Sequence, residues 1–231
     1  MASILITGAN RGLGLEFARQ YSADGWQVFA ACRNPATAQT LHRLAKDTKG
    51  KLTVVAIDVT DPESVRSAAR HLSNTAIDVL INNAGISGAS QQTTGNVDYE
   101  AWARVFDVNT MGPLRLIEAF SDHVARSERR LVVTITSGMG SITDNTSGGS
   151  HAYRTSKAAV NMVTRSAAID LAPRRIACVV VNPGWVKTDM GGSAARMTPE
   201  QSVSALRRLI EKLGPEQSGK FYNYDGREYP W

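Results

Sequence analysis

The feature that most constrains the fold is a regular alternation of short apolar runs with longer segments of helical character. The apolar runs are five or six residues long and lie at 3–7, 27–32, 52–57, 78–82, 131–136 and 176–181. Several of them are apolar at nearly every position, which is typical of strands covered on both faces. The alternation predicts one doubly wound α/β domain spanning 1–231, with helices on both faces of a mainly parallel sheet of about seven strands.

The segments between the runs have the length and periodicity of helices. They lie near 12–24, 35–47, 61–73, 97–126 and 151–172, and an amphipathic helix is predicted near 199–213. Asp61 before Pro62 is a typical helix start. Pro173 ends the helical segment near 151–172 because proline cannot continue a helix. The last residues, 219–231, predict a short strand and a turn.

Composition and charge exclude several classes of protein. With 42% hydrophobic and 20% charged residues, the chain is not disordered, fibrous or a coiled coil. The formal charge of +5 comes from scattered basic residues, so we predict no nucleic-acid partner. Cys32 and Cys178 lie in apolar runs and predict buried free thiols. The helical histidines have no neighbouring ligands, so no metal site is predicted.

No segment predicts export or membrane insertion. The first ten residues lack the basic start of a signal peptide and become polar after six residues. No run approaches the roughly 18 apolar residues that a membrane span requires. We therefore expect a soluble cytoplasmic protein without a membrane partner.

A glycine-rich segment, TGANRGLG at 7–14, joins the first strand to the first helix. Glycines at such a position let a pyrophosphate approach the backbone, and the helix N-terminus offers unpaired N–H donors. The spacing differs from the commonest dinucleotide fingerprint, and taken alone the segment could be only a turn and a helix start. Its place directly after the first strand favours a dinucleotide site.

The end of the second strand indicates which dinucleotide. Sites for NAD place an acid about 20 residues past the glycines, on the ribose 2′-hydroxyl. This chain has Arg33 there and no acid. Arg33, with Arg11 in the glycine segment, could pair with a 2′-phosphate, which indicates NADP(H). The alternative is that Arg33 is a solvated residue at a strand end.

A third pattern places a tyrosine and a lysine on one face of a helix. Tyr153 and Lys157 are four residues apart, hence one turn from each other. The pair alone is a weak signal, because chance matches are frequent. Its weight comes from Ser137 just past a strand end, Asn109 in the preceding long helix, and the NNAG turn at 82–85.

Together these motifs resemble the short-chain dehydrogenase/reductase family over essentially the whole chain. The shared features also include Asp58-Val59 after the third strand and Pro183-Gly184 followed by Val186 and Thr188. The resemblance implies a Rossmann domain. Within the family, the closing NYDGREYPW resembles carbonyl reductases of the sniffer and C-factor type.

The resemblance implies a catalytic tetrad. Tyr153 would be the general acid toward a carbonyl oxygen, and the charge of Lys157 beside it would lower the pKa of that phenol toward the working range. Ser137 would donate to the oxygen that gains charge. Asn109 would hold a water that links Lys157 to solvent; the alternative is an asparagine that merely distorts a helix, which Gly112-Pro113 already implies.

The resemblance also implies which residues bind the cofactor. Asp58 and Val59 would meet the adenine, and Asn82, Ala84 and Gly85 would line the adjacent ribose. Lys157 would bond the nicotinamide ribose, and the segment 183–188 would hold the nicotinamide ring. The full set is Gly8, Asn10, Arg11, Gly12, Leu13, Gly14, Arg33, Asp58, Val59, Asn82, Ala84, Gly85, Tyr153, Lys157, Pro183, Gly184, Val186 and Thr188.

The implied function is NADPH-dependent reduction of an aldehyde, ketone or quinone to an alcohol. Two alternatives stay open: an NADP-dependent alcohol dehydrogenase running in the oxidising direction, and a dinucleotide-binding regulatory or signalling protein with little turnover. Monomeric carbonyl reductases of the family carry a long insertion before the tyrosine. Here only 15 residues separate Ser137 from Tyr153, so we expect a homodimer or homotetramer. The stretch 189–198 predicts a flexible lid.

Overall fold

The computed structural model describes residues 1–89 and 92–231 and contains one seven-stranded sheet. The six pairs of neighbouring strands are parallel, and the strand order is β3-β2-β1-β4-β5-β6-β7. The strands are β1 (Ser3–Thr7), β2 (Gln27–Cys32), β3 (Leu52–Ala56), β4 (Val79–Asn82), β5 (Leu131–Ile135), β6 (Ala177–Asn182) and β7 (Phe221–Asn223). The predicted doubly wound α/β fold is confirmed.

The α-helices divide between the two faces of the sheet. They are α1 (Gly12–Ala23), α2 (Gln39–Asp47), α3 (Pro62–His71), α4 (Tyr99–Phe106), α5 (Gly112–Ala125), α6 (His151–Asp170) and α7 (Pro199–Lys212). Buried side chains of α1, α2 and α7 form one core with the sheet, and those of α3, α5 and α6 form the other.

The near-continuous apolar runs are explained by burial on both faces. In β1, Ile4 and Ile6 belong to one core and Leu5 belongs to the other. In β2, Val28 belongs to the first of these cores and Phe29 to the second. Successive side chains of a strand point to opposite faces, so a sheet between two helical layers requires apolar residues at every position.

The strand order places the carboxyl ends of β1 and β4 side by side. β1 pairs with β2 on one edge and with β4 on the other, so consecutive connections leave the sheet in opposite directions at this point. In open α/β sheets, ligands bind in the crevice at such a switch point. The glycine segment after β1 and the turn after β4 meet there.

Two predicted helices differ from the structure. The long helix near 97–126 is divided into α4, a π-helix at Asp107–Met111, and α5. Pro113 lies four residues after Asn109 and has no N–H, so the α-helical hydrogen bond to the Asn109 carbonyl cannot form. The segment near 35–47 starts with a 3-10 turn at Pro35–Thr37, and α2 begins only at Gln39.

The predicted helix start at Asp61 is confirmed, because its side chain accepts a hydrogen bond from the Glu63 N–H. Thr198 and Gln201 form a reciprocal capping pair at the start of α7. Cys32 and Cys178 are buried and unpaired, as predicted. Within the two described ranges, no helix is long and apolar enough to cross a membrane.

Candidate active site

A cleft of about 800 Å³ opens at the carboxyl ends of the strands. Many of the predicted site residues lie on its walls: Gly8, Asn10, Arg11, Gly12, Leu13, Arg33, Asp58, Val59, Ala84, Gly85, Tyr153, Lys157, Pro183 and Thr188. The other predicted residues lie outside this lining layer: Gly14, Asn82, Asn109, Ser137, Gly184 and Val186.

The glycine segment forms a tight turn that only glycine can make. Gly8 and Gly12 have φ values of +65° and +53°, which side chains rarely adopt. A Cβ on Gly14 would lie 2.3 Å from the carbonyl oxygen of Gly8. The turn leads directly into α1. Arg11 is the N-cap residue of this helix, and its side chain does not accept a hydrogen bond from the first N–H groups. Such N–H groups and the helix dipole attract phosphate oxygens.

The turn after β4 is fastened to the glycine segment through Asn83. Its side-chain nitrogen donates to the carbonyl of Thr7 at 2.8 Å, and its backbone N–H donates to the Thr7 hydroxyl at 3.1 Å. Asn83 also lines the cleft, whereas its neighbour Asn82 does not. Asn82 is buried beneath the cleft, and its side-chain N and O have no hydrogen-bond partner within the described chain. Successive side chains here point in opposite directions, so the second asparagine reaches the wall.

The end of the cleft beside β2 is exposed and basic. Arg33 follows β2 and is exposed, and Asn34 and Thr37 line the cleft next to it. Arg11 also lines the cleft and forms an ion pair with Asp189 at 2.9 Å. Both side chains of that pair are mostly exposed, at 66% and 78%. We call Arg11, Arg33, Asn34 and Thr37 the basic end.

Asp58 follows β3, the strand that pairs with β2, and lines the cleft. One oxygen of its carboxylate accepts hydrogen bonds from the Thr60 backbone N–H at 2.9 Å and the Thr60 hydroxyl at 2.7 Å. These bonds fix the orientation of the carboxylate at the cleft wall. Asp58 is therefore available as a fixed acceptor for an amino group.

Tyr153 and Lys157 lie on the first turns of α6, at the opposite end of the cleft. The ammonium group of Lys157 is buried, lies 5.7 Å from the centre of the Tyr153 ring, and donates to the Ile135 carbonyl at 3.0 Å. A Cβ on Gly140 would lie 2.9 Å from the backbone of Lys157, so the segment after β5 packs closely on α6. The lysine is thus held in place by β5 and by this turn.

Burial governs the proton affinities of both groups. Burial lowers the pKa of Lys157 to about 8, because the charged ammonium loses solvation. Burial raises the pKa of Tyr153 above its ordinary value, and a hydrogen bond with Ser137 opposes that rise. This differs from the sequence-based expectation that Lys157 would lower the pKa of the phenol. Desolvation prevails, and Tyr153 keeps its proton at neutral pH.

Ser137 follows the last residues of β5 and begins a short 3-10 turn. Its hydroxyl oxygen accepts a hydrogen bond from the Met139 N–H at 3.1 Å, which leaves the hydroxyl proton available for donation. The Ser137 side chain lies near enough to the Tyr153 phenol to lower its pKa, against the effect of burial. The serine is therefore positioned to share a carbonyl oxygen with the tyrosine.

Asn109 lies in the π-helix and is buried behind Lys157. Its side-chain nitrogen donates to the Ile86 carbonyl at 2.8 Å and to the Ser156 hydroxyl at 3.0 Å, and its side-chain oxygen accepts from the Ile86 N–H at 2.9 Å. The side chain thus ties the turn after β4 to α6. Pro113 has no N–H, so it cannot donate the α-helical hydrogen bond to the backbone carbonyl of Asn109.

The segment after β6 closes the cleft. Pro183 and Thr188 reach the wall, but Val186 is buried and Gly184 faces away, with Tyr224 and Met197 at 3.0 Å from a Cβ placed there. Gly184 has a φ of +80°. This bend lets the chain pass under the cleft and return to it at Thr188.

Several residues on the cleft wall were missed by the sequence analysis. They include Asn34, Thr37, Asn83, Ile86, Ser87 and Asp189. Asn83 belongs to a motif that was recognised, so the alternation of side chains after β4 could have identified it. Asp189 meets Arg11 across 178 positions of sequence, and no local pattern indicates such a contact.

Comparison with known proteins shows the family to which the chain belongs. The sequence profile described as short chain dehydrogenase matches residues 2–199. The "C-signal" protein of Myxococcus xanthus is 46% identical over 167 residues, which cover 72% of this chain and 100% of that protein.

Two solved structures share the whole fold. The carbonyl reductase Sniffer of D. melanogaster has a TM-score of 0.93 and 36% identity and covers 100% of both chains. An NADPH-bound carbonyl reductase from chicken fatty liver also has a TM-score of 0.93 and 36% identity, covering 100% of this chain and 99% of the other. The profile match and the geometry of the cleft together establish that the chain belongs to the short chain dehydrogenase family of oxidoreductases.

Proposed function

We propose that the protein is an NADPH-dependent reductase that converts a small aldehyde, ketone or quinone to its alcohol. The observation that carries this proposal is geometric: the buried ammonium of Lys157 lies 5.7 Å from the centre of the Tyr153 ring, and both residues line a cleft that extends to the basic end. A protonated phenol and a serine hydroxyl aimed at one point suit a carbonyl oxygen that gains negative charge.

The cleft also fits NADP(H). A Cβ on Gly8 would lie 3.0 Å from the backbone of Ala84, and one on Gly14 would lie 2.3 Å from the Gly8 carbonyl oxygen, so the glycines let the backbone pack tightly around the start of α1. The N-terminus of α1 would hold the pyrophosphate and the basic end would hold the 2′-phosphate. Two solved carbonyl reductases with matching folds are described as bound to NADPH or NADP.

When bound, NADPH supplies the hydride that reduces the carbonyl carbon. The residues of this chain supply the rest. Tyr153 donates its phenolic proton to the carbonyl oxygen, and Ser137 donates a hydrogen bond to the same oxygen as its charge grows. Lys157 would hold the nicotinamide ribose, and its buried ammonium, 5.7 Å from the centre of the Tyr153 ring, would return a proton to Tyr153 after turnover. A water at the Asn109 carbonyl would link Lys157 to solvent.

The two alternatives are alcohol oxidation with NADP and a signalling role with little turnover. The site residues do not set the direction of the reaction, so alcohol oxidation with NADP would use the same groups. The similarity to a protein named C-signal favours a signalling role with little turnover as the second candidate. Tyr153 and Lys157 count against pure signalling, because binding alone does not require a proton donor.

The discriminating experiment measures NADPH consumption with a panel of small dicarbonyls, quinones and aromatic aldehydes. The proposal expects turnover on at least one class, and the reverse reaction is assayed with the matching alcohols and NADP. Tight NADPH binding without turnover on any compound would favour the signalling alternative.

We also propose that the protein forms a homodimer or homotetramer. The π-helix and the faces of α5 and α6 that point away from the sheet carry exposed apolar side chains, namely Met111, Leu114, Met162 and Ile169. A symmetric pairing of these helices would cover them. Light scattering over a range of concentrations tests this, and a constant monomer mass would contradict it.

A further inference from the structure

The end of the described chain packs against the segment that follows Ser137. We call Glu228–Trp231 the tail segment and 138–144 the serine loop. The serine loop begins one residue after Ser137, and its residues at 142–144 are exposed. The exposed part of the loop, 142–144, has little packing of its own, so its contacts with the tail segment matter for its order.

The carbonyl oxygen of Trp231 accepts hydrogen bonds from three consecutive residues of the serine loop. It accepts from the Ile142 N–H at 3.0 Å, the Thr143 N–H at 2.9 Å and the Ser141 hydroxyl at 3.1 Å. Ser141 is buried. Three donors on one oxygen fix the course of the loop over these residues.

Tyr229 joins the serine loop to the edge of the sheet. Its backbone N–H donates to the Phe221 carbonyl of β7 at 2.8 Å, and its hydroxyl donates to the Asp144 carboxylate at 2.6 Å. The Phe221 ring contacts both tail aromatics, with centroids 5.0 Å from Tyr229 and 5.4 Å from Trp231. The tail segment is thus fixed to β7, and through Tyr229 it fixes the serine loop to the same strand.

Gly138 shows how closely the tail approaches the catalytic serine. A Cβ on Gly138 would lie 2.8 Å from the Tyr229 hydroxyl oxygen and 3.3 Å from the ring carbon that bears it. On its other side the loop packs on α6, where Gly140 lies against Lys157 and accepts a hydrogen bond from Asn161 at 3.3 Å. The residues next to Ser137 are therefore enclosed between the catalytic helix and the tail.

We propose that the tail segment positions Ser137 for the reaction, with Tyr229 as the positioning residue through its contacts with Gly138 and Asp144. This inference rests on the proposed function, because it concerns the serine as a donor to the carbonyl oxygen. Small displacements of a catalytic group reduce rate strongly, so the tail acts on turnover without touching substrate or cofactor.

The first test is Tyr229→Phe, which keeps the ring and removes the hydroxyl. We expect kcat to fall about threefold to tenfold while NADPH affinity stays unchanged, because one hydrogen bond to a charged group is lost away from the cofactor. Tyr99→Phe is the matched control, since Tyr99 is 73% exposed and lies outside the cleft. Asp144→Ala should lower kcat to a similar extent, and the double variant should be no slower than the slower single variant.

The second test uses Gly138→Ala, whose new methyl group would press on the Tyr229 hydroxyl. This variant should lose kcat, and adding Tyr229→Phe should restore part of the loss. The tyrosine substitution would then be harmful in the native background and beneficial in the Gly138→Ala background. Simple additivity of the two effects would overturn the proposal, because independent structural damage has no reason to change sign.

A third readout does not need turnover. Hydrogen exchange of the Ile142 and Thr143 amides should be faster in Tyr229→Phe than in the native protein and in Tyr99→Phe. A native protein that reduces no carbonyl would overturn the proposed function. A native enzyme with turnover, whose Tyr229→Phe variant exchanges faster but keeps its kcat, would overturn the positioning role alone.

Discussion

The two ends of the cleft are built in opposite ways. At the catalytic end, Lys157 and Asn109 are buried and each donates to a backbone carbonyl. At the basic end, Arg33 is exposed and Arg11 pairs only with an exposed carboxylate among the described residues. The side chains of the catalytic end are held by hydrogen bonds within the protein, whereas the basic end offers charge on exposed side chains. Substitutions at the catalytic end should therefore change rates strongly, and those at the basic end should change affinity moderately.

The largest effect is expected for Tyr153→Phe, which removes the proposed acid and keeps the ring. The reduction rate should fall roughly 100-fold or more, the usual scale of lost general acid catalysis. NADPH affinity should stay within a few-fold, because the cofactor contacts remain. Steady-state kinetics and a fluorescence titration of NADPH measure the two quantities. Near-native turnover in this variant would remove Tyr153 from the mechanism.

The next effect concerns the cost of burying Lys157. The pKa of Lys157 is about 8 in the folded protein, and its ordinary value, expected in the unfolded chain, is 10.5. Between these two pH values the unfolded chain therefore binds more protons than the folded protein. Stability should therefore rise with pH through this window. Relative to Lys157→Met, the unfolding free energy of the native protein should increase by on the order of 2 kcal/mol from pH 7 to pH 10.

Urea unfolding at several pH values measures this difference. Lys212→Met on the exposed end of α7 serves as the control, and its pH dependence should follow that of the native protein. Parallel curves for the native protein and Lys157→Met would show that the lysine is not perturbed by burial.

At the basic end, Arg33→Ala should weaken NADPH binding about tenfold to thirtyfold. A charged hydrogen bond contributes about 1.5–3 kcal/mol, and exposure favours the lower part of that range. NADH lacks the 2′-phosphate, so its affinity should change little. Arg33→Asp should weaken NADPH further and improve NADH. The control is Arg43→Ala, an exposed arginine of α2 away from the cleft wall. Equal weakening of both cofactors by Arg33→Ala would assign Arg33 another role.

The smallest effect is expected for Asp189→Asn. The native carboxylate competes with phosphate for Arg11, and an exposed ion pair contributes about 0.2–1 kcal/mol. NADPH should therefore bind about twofold to fivefold tighter at low salt, and the gain should shrink as salt rises. Glu118→Gln, which changes net charge equally on an exposed face of α5, should produce a smaller gain. Weaker NADPH binding in Asp189→Asn would contradict the competition.

The sequence predicted the parts of the molecule that follow from local rules. Runs such as 131–136 are apolar on both faces because helices cover both faces of the sheet. This pattern allowed the sheet and its two helical layers to be predicted. The glycine segment and the spacing of Tyr153 and Lys157 placed both ends of the cleft. Gly112-Pro113 predicted an irregular helix near Asn109, but the sequence did not predict that the irregularity is a π-helix.

Other features depend on contacts between distant segments. The Arg11–Asp189 pair and the contact of Tyr229 with Asp144 join residues 178 and 85 positions apart. The direction of the pKa shift at Tyr153 depends on how completely the surrounding elements exclude water, which spacing alone does not give. Such properties arise only when the whole fold is assembled.

The most direct test of the central claim follows the transferred hydrogen. NADPH carrying deuterium at both C4 positions is incubated with the enzyme and a carbonyl compound that it consumes. The account predicts one deuterium on the former carbonyl carbon of the alcohol for each NADPH oxidised, and none at that carbon when unlabelled NADPH is used in heavy water. An alcohol without deuterium from labelled NADPH, or NADPH binding with no alcohol formed from any carbonyl compound, would contradict it.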